Sequence, residues 1–240
     1  MNVSIRRVRA IVRKELREYR RNGTIVSTMA VIPLVFVIPP LIDIFALPAS
    51  SSSGLRHGDA LLYMLGIPAI VPAVVASYSV VGERQQGTLE PVLTTPIRRE
   101  EFLLGKALAA LVPSLVIAYA VYGFVLASVV LFADPAVASA LLRGPEVIAQ
   151  LLFTPILAGW SIWIGIAIST RSSDVRVAQQ LGTLASLPTV AVTTLIAYDV
   201  IHTTLALAVG FAALLIALDG LGWRITSAMF DRERLMSGRS

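Results

Sequence analysis

Six stretches of this chain are long enough and apolar enough to cross a lipid bilayer, and that feature leaves few folds open. A spanning helix needs about 20 mostly apolar residues. The candidates run over 25–47, 60–81, 106–132, 147–169, 179–198 and 203–222. In lipid, backbone N–H and C=O groups must find partners without water, so stretches of this length become helices. The third is long enough to tilt or to begin inside the cytoplasm. The fifth and sixth are separated by only a few residues around Asp199 to His202, which predicts a tight hairpin. Composition agrees with this reading. Of 240 residues, 56% are hydrophobic and 15% charged, where a soluble domain carries about a quarter charged.

Lysine and arginine set the expected orientation, because cytoplasmic loops of membrane proteins collect them. Arg6, Arg7, Arg9, Arg13, Lys14, Arg17, Arg20 and Arg21 precede the first span. Arg84, Arg98, Arg99 and Lys106 lie between the second and third, Arg171 and Arg176 between the fourth and fifth, and Arg224, Arg232, Arg234 and Arg239 in the tail. Of the 20 basic residues, only Arg56 and Arg143 fall on the other side. Both termini are therefore expected in the cytoplasm, with the chain a multi-pass protein of the plasma membrane. The net charge of +5 and the isoelectric point near 10 follow from this topology and call for no nucleic acid. The first apolar run is too long for a signal-peptide core and no small-residue cleavage site follows it, so it is expected to stay attached. The absence of cysteine excludes disulfides and thiolate metal sites.

Ahead of the first span, Ile5, Val8, Val12, Leu16 and Tyr19 recur at spacings of three and four, which places them on one helical face. The opposite face is rich in arginine. Such a helix lies in the membrane interface with its arginines at anionic headgroups, and Asn22-Gly23 is a fitting stop. Prolines fall inside the spans at Pro33, Pro39, Pro40, Pro68, Pro72, Pro113, Pro155 and Pro188. Each removes a backbone donor, which membrane helices tolerate when neighbours satisfy the freed carbonyl.

The connection between the second and third spans is the most informative stretch. It reads Glu83-Arg84-Gln85-Gln86-Gly87-Thr88-Leu89-Glu90-Pro91-Val92-Leu93-Thr94-Thr95-Pro96, then Ile97-Arg98-Arg99-Glu100-Glu101-Phe102-Leu103-Leu104-Gly105-Lys106. Gly87 breaks the helix leaving the second span. Thr88 can cap a new short helix, with Pro91 in its first turn. Leu89, Val92 and Leu93 make a small apolar face. Thr95 and Pro96 are expected to cap the helix entering the third span.

This stretch resembles the type-2 ABC exporter permeases. Their corresponding loop commonly runs from an acidic-basic start through Gly-Thr-Leu-Glu and Thr-Pro to Leu-Gly-Lys. Lys14-Glu15-Leu16 in the first helix, the six spans and the total length also match. The resemblance implies an all-α membrane fold, with an interfacial elbow helix at 1–24, a six-span domain at 25–222 and a cytoplasmic tail at 223–240. It implies a second permease subunit, as homodimer or heterodimer, and two copies of an ABC ATPase that carry the ATP and magnesium. It makes 83–104 the coupling loop, with Glu83, Arg84, Gly87, Thr88, Leu89, Glu90, Val92, Leu93, Thr95 and Pro96 facing the ATPase and Lys14, Glu15 and Leu16 in the elbow. The short connection between the fifth and sixth spans departs from relatives that carry extra helices there.

No phosphate-binding loop of the Gly-x-x-x-x-Gly-Lys-Ser/Thr type occurs, so this chain is not expected to bind or hydrolyse ATP. No cofactor or metal is expected on it. Gly182, Ser186, Thr189 and Thr193 recur at helical spacing in the fifth span. Small and hydroxylated residues allow close helix contact, and this stripe fits a translocation path, a subunit interface or packing within the chain. Asp43, Asp199 and Asp219 fall near span ends by these boundaries and read as interfacial. Few charges in the spans point to an apolar or amphipathic cargo such as a drug or lipid. A haem or cytochrome-maturation permease stays open within the family. Outside it, a passive channel would need a selectivity constriction that is not legible. An intramembrane hydrolase would need paired catalytic groups within a span.

Overall fold

A computed structural model describes residues 4–45, 61–88, 97–135, 138, 142, 144–198, 200–202 and 204–229. Among these the chain is helical and holds no strand. The amphipathic helix α1 (Ile5–Arg21) leads through Asn22 into α2 (Gly23–Phe45). A 3₁₀ turn (Leu61–Leu65) runs into α3 (Gly66–Tyr78), and a short stub, α4 (Val81–Gln85), follows. Next come α5 (Arg99–Phe132), α6 (Gly144–Arg171), α7 (Val175–Ala197) and α8 (Leu205–Met229). Six segments are long and apolar enough to cross a membrane: Gly23–Ile42, Leu61–Gln85, Arg99–Phe132, Glu146–Arg171, Val175–Ala197 and Leu205–Met229.

Four helix ends differ from the expected boundaries by four residues or more, and the expected end of the first span at 47 lies outside the described residues. The second span runs on to Gln85, through the stub α4. The third span starts at Arg99, seven residues early, because its first turns pack against α1. The fifth starts at Val175, where the Asp174 carboxylate caps it. The last continues to Met229, which places Asp219 inside the span instead of at its end. There the carboxylate lies against Gly159 of α6, where a Cβ would stand 3.0 Å from Asp219 Oδ2.

Helix α3 is the axis of the chain, and the second span is buried without interruption from Met64 to Glu83. Its backbone is approached closely from two sides. Ser161 Oγ of α6 donates to the Ala69 carbonyl at 2.8 Å. A Cβ at Gly165 would meet the Ala73 carbonyl at 2.5 Å, and Gly182 of α7 packs on the same carbonyl and on Ser77. These small residues let α6 and α7 pack backbone to backbone on α3. One proline is visibly compensated. Pro155 has no N–H for the Leu151 carbonyl, and the Tyr119 hydroxyl of α5 donates to that oxygen at 2.9 Å. Helix α8 lies at the periphery, held to α6 by the edge-on Trp163–Trp223 pair with centroids 5.4 Å apart.

Candidate functional site

The two ends of the connection between the second and third spans converge on α1, and the site is built there. Helix α3 stops at Tyr78, and the chain breaks at Ser79-Val80 before resuming as α4. The break frees backbone groups that side chains from other helices take up. Ser169 Oγ of α6 accepts from the amides of Val80 and Val81 at 2.9 and 3.0 Å, capping the stub from outside its own helix. Lys106 Nζ of α5 donates to the Ser79 carbonyl at 2.6 Å.

The stub ends as its sequence requires. Gly87 has φ +68°, a left-handed conformation that suits glycine. Its amide reaches the Arg84 carbonyl at 3.2 Å, and the Thr88 amide reaches that of Glu83 at 2.9 Å. This is a Schellman closure. The Thr88 hydroxyl also donates back to the Glu83 carbonyl, so its side chain closes the helix behind it. Arg84 is engaged within the subunit: its guanidinium donates to the Thr170 and Ser172 carbonyls, both at 3.0 Å. A cation at the carbonyl end of α6 also suits that helix's dipole. Gln86 donates to the Tyr78 hydroxyl at 2.6 Å.

At the returning end, α5 begins at Arg99 with Arg98 as its cap residue, so the cap expected at Thr95-Pro96 sits further along the chain. Glu101 accepts from the Arg98 amide at 3.1 Å, from the Ser4 amide at 2.8 Å and from the Arg7 guanidinium at 3.1 Å. One carboxylate thus starts α5 and fastens the front of α1 to it.

Between the two ends lies a buried ionic cluster. Lys106 is 0% exposed, and its ammonium stands 2.9 Å from Glu15 of α1 and 3.2 Å from Glu83 of α4. Lys14 also donates to Glu83 and lies 3.2 Å from Glu18. Two lysines and two buried glutamates balance in charge, with Lys106 fully enclosed and Lys14 at the partly exposed edge. Burial acts against the Lys14 ammonium, but the hydrogen bond to Glu83 and the charges of Glu83, Glu15 and Glu18 outweigh it, so its pKa is raised. Burial, then the Glu15 charge, pushes Tyr19 well above the ordinary phenol value. At the neighbouring connection, the Val177 and Arg176 amides hold Asp174 below the usual carboxylate range.

The elbow residues Lys14 and Glu15 are therefore in the site, and Leu16 is half-buried at its edge. The buried stripe of α1 is turned from the expected one. Ile11, Glu15 and Tyr19 face inward, while Ile5 is 82% exposed. The cause lies on α5, where a Cβ at Gly105 would stand 2.6 Å from Ile11 Cγ2 and Lys106 draws Glu15 in. Reading by hydrophobic spacing counts Glu15 as outward, and so misses Ile11. It also misses Glu101, Gly105, Lys106, Ser79 and Ser169 as site residues. A lysine entering an apolar helix was the available signal, since such a charge needs a carboxylate.

Leu89, Glu90, Val92, Leu93, Thr95 and Pro96 lie outside the described residues, as do Arg56, His57, Arg143, Asp199 and the tail from residue 230. So does the side chain of Asp43. In the fifth span, Gly182, Ser186 and Thr193 are buried within the subunit and Thr189 is half-buried. Gly182 packs on α3, so at this point the stripe serves packing inside the chain, one of the three uses open in the sequence. A family model described as ABC-2 family transporter protein matches residues 9–215. Comparison with curated proteins gave no match.

Proposed function

The chain belongs to the ABC-2 family of transporter proteins, and from that premise we propose that it is the membrane-spanning permease subunit of an ATP-driven exporter. Two such subunits form the translocation path, and two separate ABC ATPase subunits bind ATP and magnesium and supply the energy. Residues 88–93 are the coupling segment, docking on the ATPase through Leu89, Val92 and Leu93. Both termini lie in the cytoplasm. The cargo is apolar or amphipathic, a drug-like compound or a lipid.

The observation that carries this reading is the double attachment of the loop. Its outgoing end is held by Glu83 to Lys14 and Lys106, and its returning end by Glu101 to Ser4 and Arg7. Force applied to residues 89–96 therefore reaches α1, the second span and the third span together. An ordinary surface turn has no need of such anchoring. Arg84 adds the fourth span through Thr170 and Ser172.

Leu89→Asp tests the proposal. Burying an apolar side chain of this size in a protein contact is worth about 1.5–3 kcal/mol, and the substitution also forces a charge into the surface. The expected result is a subunit that inserts normally but loses the ATPase in pull-down and stops transporting. Glu90→Lys should have the smaller effect. Wild-type transport together with wild-type ATPase recovery in Leu89→Asp would exclude this loop as the main coupling element.

A further inference from the structure

The arginine face of α1 is a concentrated charge that the coupling site leaves unused. Arg13, Arg17, Arg20 and Arg21 follow at spacings of four, three and one, so they share a face. All four are exposed and none forms a salt bridge among the described residues. The acids of this helix are engaged elsewhere, Glu15 with Lys106 and Glu18 with Lys14. Together with the half-buried Leu16, the four arginines line an open groove of about 650 Å³. The groove lies where α1 turns into α2, and beyond that corner α2 exposes Val26, Val31 and Leu34.

A ligand for this place is anionic at one end and apolar at the other. We propose that the groove is a discrete site for one anionic phospholipid of the cytoplasmic leaflet. The guanidiniums hold its phosphodiester, for which their paired N–H groups are matched in geometry, and its acyl chains run down the exposed flank of α2. Basic residues near a membrane are attracted to anionic lipid in a diffuse way. The groove adds four charges that line one concavity together with Leu16, the apolar flank of α2 following in the chain. An acidic protein surface would meet the charges but leaves the apolar flank of α2 without a role. The inference rests on the membrane reading of the chain and is independent of the coupling proposal.

Native mass spectrometry of the purified full chain in neutral detergent tests it, with short-chain phosphatidylglycerol and phosphatidylcholine of equal acyl length as probes. One phosphatidylglycerol per chain should be retained in preference to phosphatidylcholine. Each arginine at an anionic surface contributes a factor of about five, so R17Q/R20Q should lower the preference more than about tenfold. R6Q/R9Q removes the same charge from the same helix outside the groove and should change it by a clearly smaller factor than R17Q/R20Q. Equal losses in the two variants would reduce the site to diffuse surface charge. Lack of preference in the wild type would overturn it outright. Displacement of the lipid by soluble glycerol phosphate at equal concentration would make the groove a phosphate site instead. Loss of ATPase recovery in R17Q/R20Q with lipid preference unchanged would assign it to a protein contact. Failure of Leu89→Asp to uncouple transport would leave this result untouched.

Discussion

A lysine ammonium with no exposed surface has to be matched in charge by its own surroundings, and Lys106 is matched by Glu15 and Glu83. Removing one member of a buried ion pair costs about 3–5 kcal/mol, because the partner is left as an uncompensated charge. Lys106→Met should therefore destabilise the subunit by that amount, read from thermal unfolding of the purified chain. Adding Glu15→Gln should recover part of the loss, with a coupling energy of about 1 kcal/mol or more. Strict additivity of the two substitutions would mean that the contact does not stabilise the fold. The family resemblance points to Lys14, Glu15 and Glu83 as site residues, whereas for Lys106 the sequence signals only that a buried carboxylate is needed, without showing which. Its contacts are with residues 91, 27 and 23 positions away, and no periodicity in a single chain records a pairing between helices.

The docking of α1 on α5 depends on a residue without a side chain. A Cβ at Gly105 would stand 2.6 Å from Ile11 Cγ2, so Gly105→Ala forces the two helices apart. Overpacking of this kind costs about 1–3 kcal/mol. The variant should unfold at lower temperature, and trypsin should cut the arginines of α1 faster. Ile11→Ala in the same chain should restore both measurements toward wild type; an unchanged cleavage rate in Gly105→Ala would show that α1 does not rest there. The existence of the helices and most of their boundaries were legible, because a run of apolar residues needs no knowledge of neighbours. The break at Ser79-Val80 was not. No proline or glycine marks it, and it is held open by Ser169 and Lys106 from two other helices. The extension of α8 to Met229 was hidden for a related reason: Arg224 reads as the end of a span, although a long side chain can keep its charge at the interface while its helix continues.

For the molecule as a whole, the distribution of basic residues predicts which loops face outward. The chain has no cysteine, so single cysteines report without background. Those at Ser52 and Ala138 should react with an impermeant reagent added to intact cells, and those at Gln86, Ser173 and Ser237 should not. Labelling of Gln86 from outside would reverse the orientation and place the ionic cluster on the wrong side of the membrane for an ATPase. The second span carries a different consequence. Residues 64–83 of it are buried in the finished subunit, yet it leaves the ribosome before the residues of α6 and α7 that enclose it have been made. During synthesis it must therefore wait among lipids, or inside the insertion machinery, until nearly half of the chain has followed. Its early partners are only α1, α2 and later α5. The order of insertion and the order of packing differ in this protein, and a chain cut short before residue 144 would leave in the bilayer a central helix without either of the helices that close upon its small residues and serines.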